Sequence, residues 1–516
     1  MLDRVKFFRR RQFVLGSEFI NYEGWLRLNL FDNFKLTLHP DLQLASSAHG
    51  KNKAVLLGYA IDPYQPELKD EGILQRFVTG RVAVNRIIDD LENLSGRFVL
   101  IISCPQGIWL FHDACGLRQV NYFKDTKNNI WCASQSETLA EYFGLPYDEE
   151  MLDFRNVPEY QLTTEDFALI NDRSPFKKIK YLLANHYLDL RSGKVTRFWP
   201  TPDCIGSLSA NKSIELIKPI LQNSIRGAAN RFNLKMGISA GCDSRKSLAA
   251  AKDVKDKICF FTQTPQADSE IDLEIPSRLL PKLGIEHHKI VIEQMSQEFE
   301  ELYRCSSTWA RDRHGHVAYT ALNCFGTEAT VLNSNISEYS QVSYWLPQSH
   351  INGEGLAILK GLNHPLAIKD YQIWLDGSYP ACLEANMNVL VLFQLELRSR
   401  WVANTFAECD ITYESFNPYN NRRLYCVELA VNERLRRPLH RYDFPKKLIK
   451  NMWPEVLQEP INPEKNLSAK IKKFILHNII FKTISPWLPL VEFIKYLRLK
   501  NDFKKQAIRD AIDTAD

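Results

Sequence analysis

The sequence predicts an α/β protein built in two unlike halves. Two observations carry this. Residues 1 to about 200 read as a succession of short strands between turn residues, and from about 205 the hydrophobic period changes so that strands alternate with helices. A third observation places chemistry in the second half. The strand-like Lys235-Met-Gly-Ile-Ser239 runs into Ser239-Ala240-Gly241-Cys242-Asp243-Ser244, and a helix-forming run follows at once. Small residues there let backbone N–H groups converge on an anion, and the start of the next helix adds partial positive charge.

In the first half, alternating or apolar runs occur at Trp25–Leu30, Phe34–Leu38, Ala54–Tyr59, Phe98–Ile102, Ile108–Phe111 and Ile130–Ala133. Val82–Leu94 has helical character, with Ser95-Gly96 read as its stop. Lys127-Asn128-Asn129 lies between two strand-like runs as a hairpin turn. Two more short strands flank Arg191-Ser192-Gly193-Lys194, and Pro200-Thr201-Pro202 is the expected boundary.

In the second half, Ile214, Ile217, Ile220, Leu221 and Ile225 share one side of a helix over Ser213–Ala228. The order is then strand (Lys235–Ser239), helix (Ser244–Lys252), strand (Ile258–Thr262), helix (Ile271–Leu283), strand (His288–Ile292) and helix (Glu298–Trp309). Alternation of this kind argues for a parallel sheet covered on both faces. Ligands of such sheets bind at the carboxyl ends of strands, where Ser239 to Ser244 falls. Residues 345 to 465 read as mostly helical. The last stretch, 466–516, is basic and apolar, with Lys472, Lys473, Lys482, Lys495 and Arg498 among apolar residues. It reads either as a surface for peripheral contact with an anionic membrane or as a helix packed on the preceding half.

The composition is that of an ordinary globular chain: 516 residues, 45% hydrophobic and 24% charged. A formal charge of +4 is too small to indicate a nucleic-acid partner, and none is expected. The 11 cysteines are scattered without a CxxC pair, and neither a signal peptide nor a run of about 18 apolar residues is present, so a reduced, cytoplasmic location is expected. His287-His288 and His314-Gly-His316 lack partners at a recognised zinc spacing.

Ser239-Ala-Gly-Cys-Asp-Ser244 resembles the Ser-Gly-Gly-x-Asp-Ser pyrophosphate loop of the asparagine synthetase family. Further stretches extend the resemblance: Ile108-Trp-Leu-Phe-His-Asp113-Ala-Cys-Gly116 with Trp131-Cys-Ala-Ser134, Ser174-Pro-Phe-Lys with Ala184-Asn-His-Tyr-Leu, and Pro418-Tyr-Asn-Asn-Arg-Arg with Pro445-Lys446-Lys447. The resemblance implies an N-terminal Ntn-hydrolase-like αββα domain of the glutamine amidotransferase type over 1–200. It implies a parallel-sheet ATP-pyrophosphatase domain, of the adenine nucleotide α-hydrolase type, over 201–465. By position it implies that Ser239, Ala240, Gly241, Cys242, Asp243 and Ser244 surround the ATP phosphates. Asp243 and Glu338 would hold Mg2+, and Lys446 would stabilise charge during acyl transfer. Ala240 stands where the family has glycine, and is tolerable if its φ is negative.

The sequence departs from that family in three places. It begins Met1-Leu2-Asp3, with Cys104 its first cysteine, so the nucleophilic cysteine expected after the initiator methionine is missing. Leu57-Gly58-Tyr59 replaces the glutamine-holding Asn-Gly-Glu, and Asn335 replaces a glutamate in the loop that contains Glu338. Arg311-Asp312-Arg313 reads either as lining for an acceptor pocket or as a solvent-facing stretch, and Asn421-Arg422-Arg423 either as a bidentate grip on a carboxylate substrate or as a helix-start salt bridge.

The expectation is therefore an ATP-dependent, amide-forming ligase. It would activate an unknown carboxylate as an acyl-adenylate with pyrophosphate release, for an unknown amine donor, without glutaminase activity. The resemblance extends to relatives that close lactams and peptide rings. A non-catalytic ATP-binding protein of the same fold is the alternative, and an RNA-modifying enzyme sharing the loop is a third reading that the low net charge disfavours.

Overall fold

The computed structural model describes residues 2–463 apart from 158–168, 265–269, 342–343, 345, 363 and 437–441. The basic tail at 466–516 lies outside the described residues.

Among the described residues the first half forms two six-stranded antiparallel sheets. One contains β1 (Phe13–Gly16), β2 (Leu26–Asn29), β3 (Lys35–Leu38), β8 (Asn121–Lys124), β9 (Ile130–Ala133) and β10 (Lys180–Tyr181). The other contains β4 (Leu44–His49), β5 (Asn52–Ile61), β6 (Ser95–Cys104), β7 (Gly107–His112), β11 (His186–Asp189) and β12 (Val195–Arg197). Residue alternation sorts their faces. Phe13, Leu15, Leu36 and Leu38 of the first sheet pack with Val55, Leu57, Val99, Ile101 and Leu110 of the second. Val14, Trp131 and Ala133 turn the other way, onto Leu139 and Ala140 of the helix Ser136–Phe143. Leu56, Leu100, Ile102 and Phe111 likewise face Ile73, Leu74, Phe77, Ile87 and Leu91, from the helices Asp70–Val78 and Val84–Glu92. The result is a helix–sheet–sheet–helix stack, as expected. Central strand β6 is buried along its whole length because both of its faces are covered.

The expected strands and the turn at Lys127–Asn129 are present, with Asn128 at φ 67°. Ser95-Gly96 differs from expectation. It is the start of β6 rather than a helix stop, because Gly96 (φ 125°) lets the strand begin hard against Tyr59 and Ala60 of β5.

The second half holds a five-stranded parallel sheet in the order β15 (His287–Val291), β14 (Cys259–Thr264), β13 (Asn233–Gly237), β16 (Ala329–Leu332), β17 (Glu414–Phe416). Leu234 and Met236 pack with Ile217, Ile220 and Leu221 of the helix Ala210–Arg231 on one face. Phe261 and Val331 meet Ala321 and Cys409, from the helices Asp312–Phe325 and Ser399–Cys409, on the other. β13 is central: β14 and β15 extend the sheet to one side of it, and the chain then crosses over to add β16 and β17 on the other. Its carboxyl end is therefore a topological switch point, the crevice where open α/β sheets take ligands.

The two halves are joined by buried charge. Arg97 donates to both carboxylate oxygens of Asp410 and to Glu414 (2.8 Å), and Arg118 donates to Glu414 (2.6 Å). Burial opposes ionisation of Glu414, but Arg118 and Arg97 outweigh it and hold the carboxyl well below its ordinary range. Tyr59 is fully buried and donates its hydroxyl to the Ser415 carbonyl (2.6 Å). Leu57 and Tyr59, at the positions the resemblance gives to glutamine binding, are thus core residues. No described helix is long and apolar enough to cross a membrane.

Candidate functional site

The loop after β13 closes on itself through hydroxyls. Ser239 N–H donates to Ser244 Oγ (3.2 Å) and Gly241 N–H to Ser239 Oγ (3.1 Å), while the two hydroxyls lie 3.1 Å apart. Ala240 N–H donates to the carboxylate of Asp272 (3.0 Å), from the helix Glu270–Lys282. Ala240 does not take a positive φ, so its methyl group is accommodated without left-handed strain. Gly241 caps the helix Cys242–Ala250 with φ −68°, and a Cβ there would come within 3.0 Å of Ser239 Oγ. Two hydroxyls and a helix start thus meet at the switch point, with the loop amides held by those hydroxyls and by Asp272, an arrangement able to hold phosphate at the helix start.

A strap of chain fixes the loop from below. Arg245 is fully buried and donates to the carbonyls of Val456 and Glu459 (both 2.9 Å) and Pro460 (3.0 Å). Asn462 N–H donates to the Ala240 carbonyl (3.0 Å), and its side chain reaches the Tyr442 hydroxyl (3.0 Å). Tyr442 leads into the helix Asp443–Met452, which packs on the loop helix and carries Lys446 on its exposed side. Burial pushes the Cys242 thiol up to about 11 against the opposing pull of Lys246 and Lys446. Lys446 therefore lies within electrostatic reach of the loop.

Asp243 and Glu338 also come together, through Ser337, which bonds Asp243 and immediately precedes Glu338. Burial raises the Glu338 carboxyl, with Arg398 opposing and Asp243 adding to the rise. Each carboxylate already holds a cation of the chain. Lys246 Nζ lies 3.3 Å from Asp243 Oδ1, donates to the Ser337 carbonyl (2.9 Å) and sits over the Tyr419 ring at 5.0 Å. Ser337 also donates its hydroxyl to Asp243. Arg398, at the end of a π-helical turn, pairs with Glu338 Oε1 at 2.6 Å. Burial works against the Lys246 charge, yet Asp243, Tyr419 and Glu428 outweigh it and keep the ammonium protonated.

This donor set does not fit the magnesium ion that the resemblance implies. A divalent ion between Asp243 and Glu338 would sit beside two resident cations, the Lys246 ammonium, whose side chain is only 3% exposed, and the Arg398 guanidinium, and would be repelled by both. Glu338 Oε2 is buried without a hydrogen-bond partner, but its carboxylate is already matched by Arg398.

Other sequence candidates fall elsewhere. Arg311 grips Glu408 with two nitrogens (3.0 and 2.7 Å), inside the protein. Arg422 is buried and donates to Asn185, while Arg423 pairs with Glu92 at 3.4 Å, both as structural contacts. His287 bonds Thr262 (2.9 Å), and His288 faces outward. Asn335 accepts from Asn417 (3.2 Å). Sequence reasoning missed Asp272, Lys246 and Arg398 as members of the site. Only Lys246 carried a signal, three residues after Asp243 on one helix.

No family model matches the chain, and no curated protein matches it. Among solved structures, an NMN synthetase from Francisella tularensis aligns at 15% identity over 39% of this chain and 97% of its own, with a TM-score of 0.21. A glutamine PRPP amidotransferase from B. subtilis, complexed with ADP and GMP, aligns at 11% identity over 64% and 77%, with a TM-score of 0.24. A glutamine-dependent NAD+ synthetase from Acinetobacter baumannii, in complex with ADP, aligns at 12% over 50% and 64%, with a TM-score of 0.19. Likenesses this remote leave the site to be read from its own residues.

Proposed function

We propose that this protein is an ATP-dependent ligase that activates a carboxylate as an acyl-adenylate, releases pyrophosphate and passes the acyl group to an amine. The observation that carries the reading is the Ser239–Ser244 loop, set at the switch point of a parallel sheet with two hydroxyls and a helix start meeting there. Ser239, Gly241 and Ser244 hold the departing pyrophosphate. Its negative charge grows as the bond to the α-phosphorus breaks, which is when preorganised donors contribute most. Lys446, on the helix beside the loop, offsets the charge of the acyl-transfer step. Residues 1–200 act as a scaffold: Leu57 and Tyr59 fill core positions, and the amine arrives free or as part of the substrate.

The test is pyrophosphate release on incubation with ATP and a panel of carboxylates and amines. Lys446→Ala is expected to slow pyrophosphate-coupled amide formation about 100-fold while nucleotide affinity is retained. If no carboxylate elicits pyrophosphate, the ligase reading fails.

A second reading, a nucleotide-binding protein without ligase activity, is favoured by Asn335, whose amide oxygen accepts from Asn417 where the resemblance implies a glutamate. It predicts tight ATP binding with no pyrophosphate under any substrate.

A further inference from the structure

We propose that Lys246 and Arg398 take the place of a protein-bound magnesium ion, so that the site accepts a nucleoside triphosphate on resident cations alone. The inference rests on the nucleotide reading of the loop. It starts from charge balance. Two carboxylates bridged by one divalent ion sum to zero. Asp243 and Glu338 with Lys246 and Arg398 reach the same sum using the chain's own side chains.

The cations are built in rather than incidental. Lys246 is 2% exposed and is held at three points: the Asp243 carboxylate, the Ser337 carbonyl and the Tyr419 ring. Ser337 ties the arrangement together by also donating to Asp243, and it immediately precedes Glu338. Lys246 belongs to the helix that opens with the phosphate loop, so loop and ammonium are positioned by one rigid element. A magnesium ion adds most where carboxylates are otherwise uncompensated and phosphates complete its octahedron. Here the compensation is already present before any ligand arrives.

The probe is β,γ-imido ATP, titrated into the full chain by calorimetry in EDTA and in millimolar Mg2+. Free Mn2+ is followed in parallel by electron paramagnetic resonance. The expected result is an affinity that agrees within about threefold between the two conditions, and no Mn2+ bound beyond what the nucleotide itself chelates. Lys246→Met, which frees Asp243, is expected to bind at least about tenfold more weakly in EDTA and to regain affinity when Mg2+ is added. Arg398→Gln gives the same comparison at Glu338 if Lys246→Met does not fold. Binding by the wild-type protein that requires Mg2+, or a Mn2+ site of its own, overturns the inference and leaves the nucleotide reading standing. No binding in either condition overturns both.

Discussion

At the scale of single residues, the most informative contact in the site is the Asp272 carboxylate on the Ala240 amide. An amide that would donate to phosphate already donates to an anion, so an incoming triphosphate must displace or repel that carboxylate. Two like charges about 4 Å apart near a protein surface repel by on the order of 1–4 kcal/mol. Asp272→Asn keeps an acceptor oxygen while removing the charge. It is expected to tighten binding of β,γ-imido ATP about tenfold, read by calorimetry. A weaker or unchanged affinity would show that Asp272 shapes the loop instead of guarding it. Asp272 also illustrates why the sequence revealed only part of the site. Ser239 to Ser244 is contiguous, so its small residues advertise a phosphate loop directly. Asp272 and Arg398 enter through packing between separate elements, and no local pattern announces such pairings, whereas Lys246 stands three residues after Asp243 on one helix.

At the scale of elements, the loop depends on a strap that follows the helix Asp443–Met452. Arg245 spends its charge on three backbone carbonyls at Val456, Glu459 and Pro460, while Glu459 itself pairs with Arg278 (3.0 Å) and Lys282 (2.6 Å). Burial lowers the Arg245 guanidinium to about 10, so its charge is retained at neutral pH. Arg245→Met would leave those carbonyls unsatisfied, at about 1–3 kcal/mol for each buried group left without a partner. We expect a loss of at least about 3 kcal/mol in denaturant unfolding, together with weakened nucleotide binding because Asn462 no longer steadies Ala240. Intact binding alongside lost stability would separate the strap from the site. Element legibility followed patterning here too. Strands with alternating or continuous apolar residues were readable, and so was the amphipathic helix Ala210–Arg231. β17 was not: it has three residues, Glu414-Ser415-Phe416, and buries its charge against Arg97 and Arg118. A buried glutamate in a short segment reads as loop until its distant arginines are known.

At the scale of the molecule, the αββα half and the parallel-sheet half share one polar seam, and buried neutral histidines make its stability depend on pH. His39 Nε2–H donates to the Lys6 carbonyl (3.0 Å), and Nδ1 accepts from Asp41 N–H (3.0 Å), so the ring is held in one neutral tautomer. Burial lowers it from the ordinary 6.5 to about 4, only partly opposed by Asp41. His112 donates to the Leu183 carbonyl (2.9 Å) beneath the seam, and burial lowers it to about 4 as well. His314 is lowered further, to about 2, by burial and by Arg311 and Arg313. A histidine with a depressed folded pKa binds its proton more readily in the unfolded chain. Its contribution is therefore fully present above pH 6.5 and is lost as pH falls from there towards the folded value. Between pH 7 and 5 each ring is expected to remove on the order of 1–2 kcal/mol. Denaturant midpoints measured across this range in His39→Gln and His112→Asn should show a shallower acid slope than the wild type, even where the variants are less stable at pH 7. An unchanged slope would mean that these rings do not control it. Because Arg97 and Arg118 cross the seam to Asp410 and Glu414, both halves should unfold in one transition at every pH. A histidine in the first half would then set the acid limit for the proposed nucleotide loop in the second.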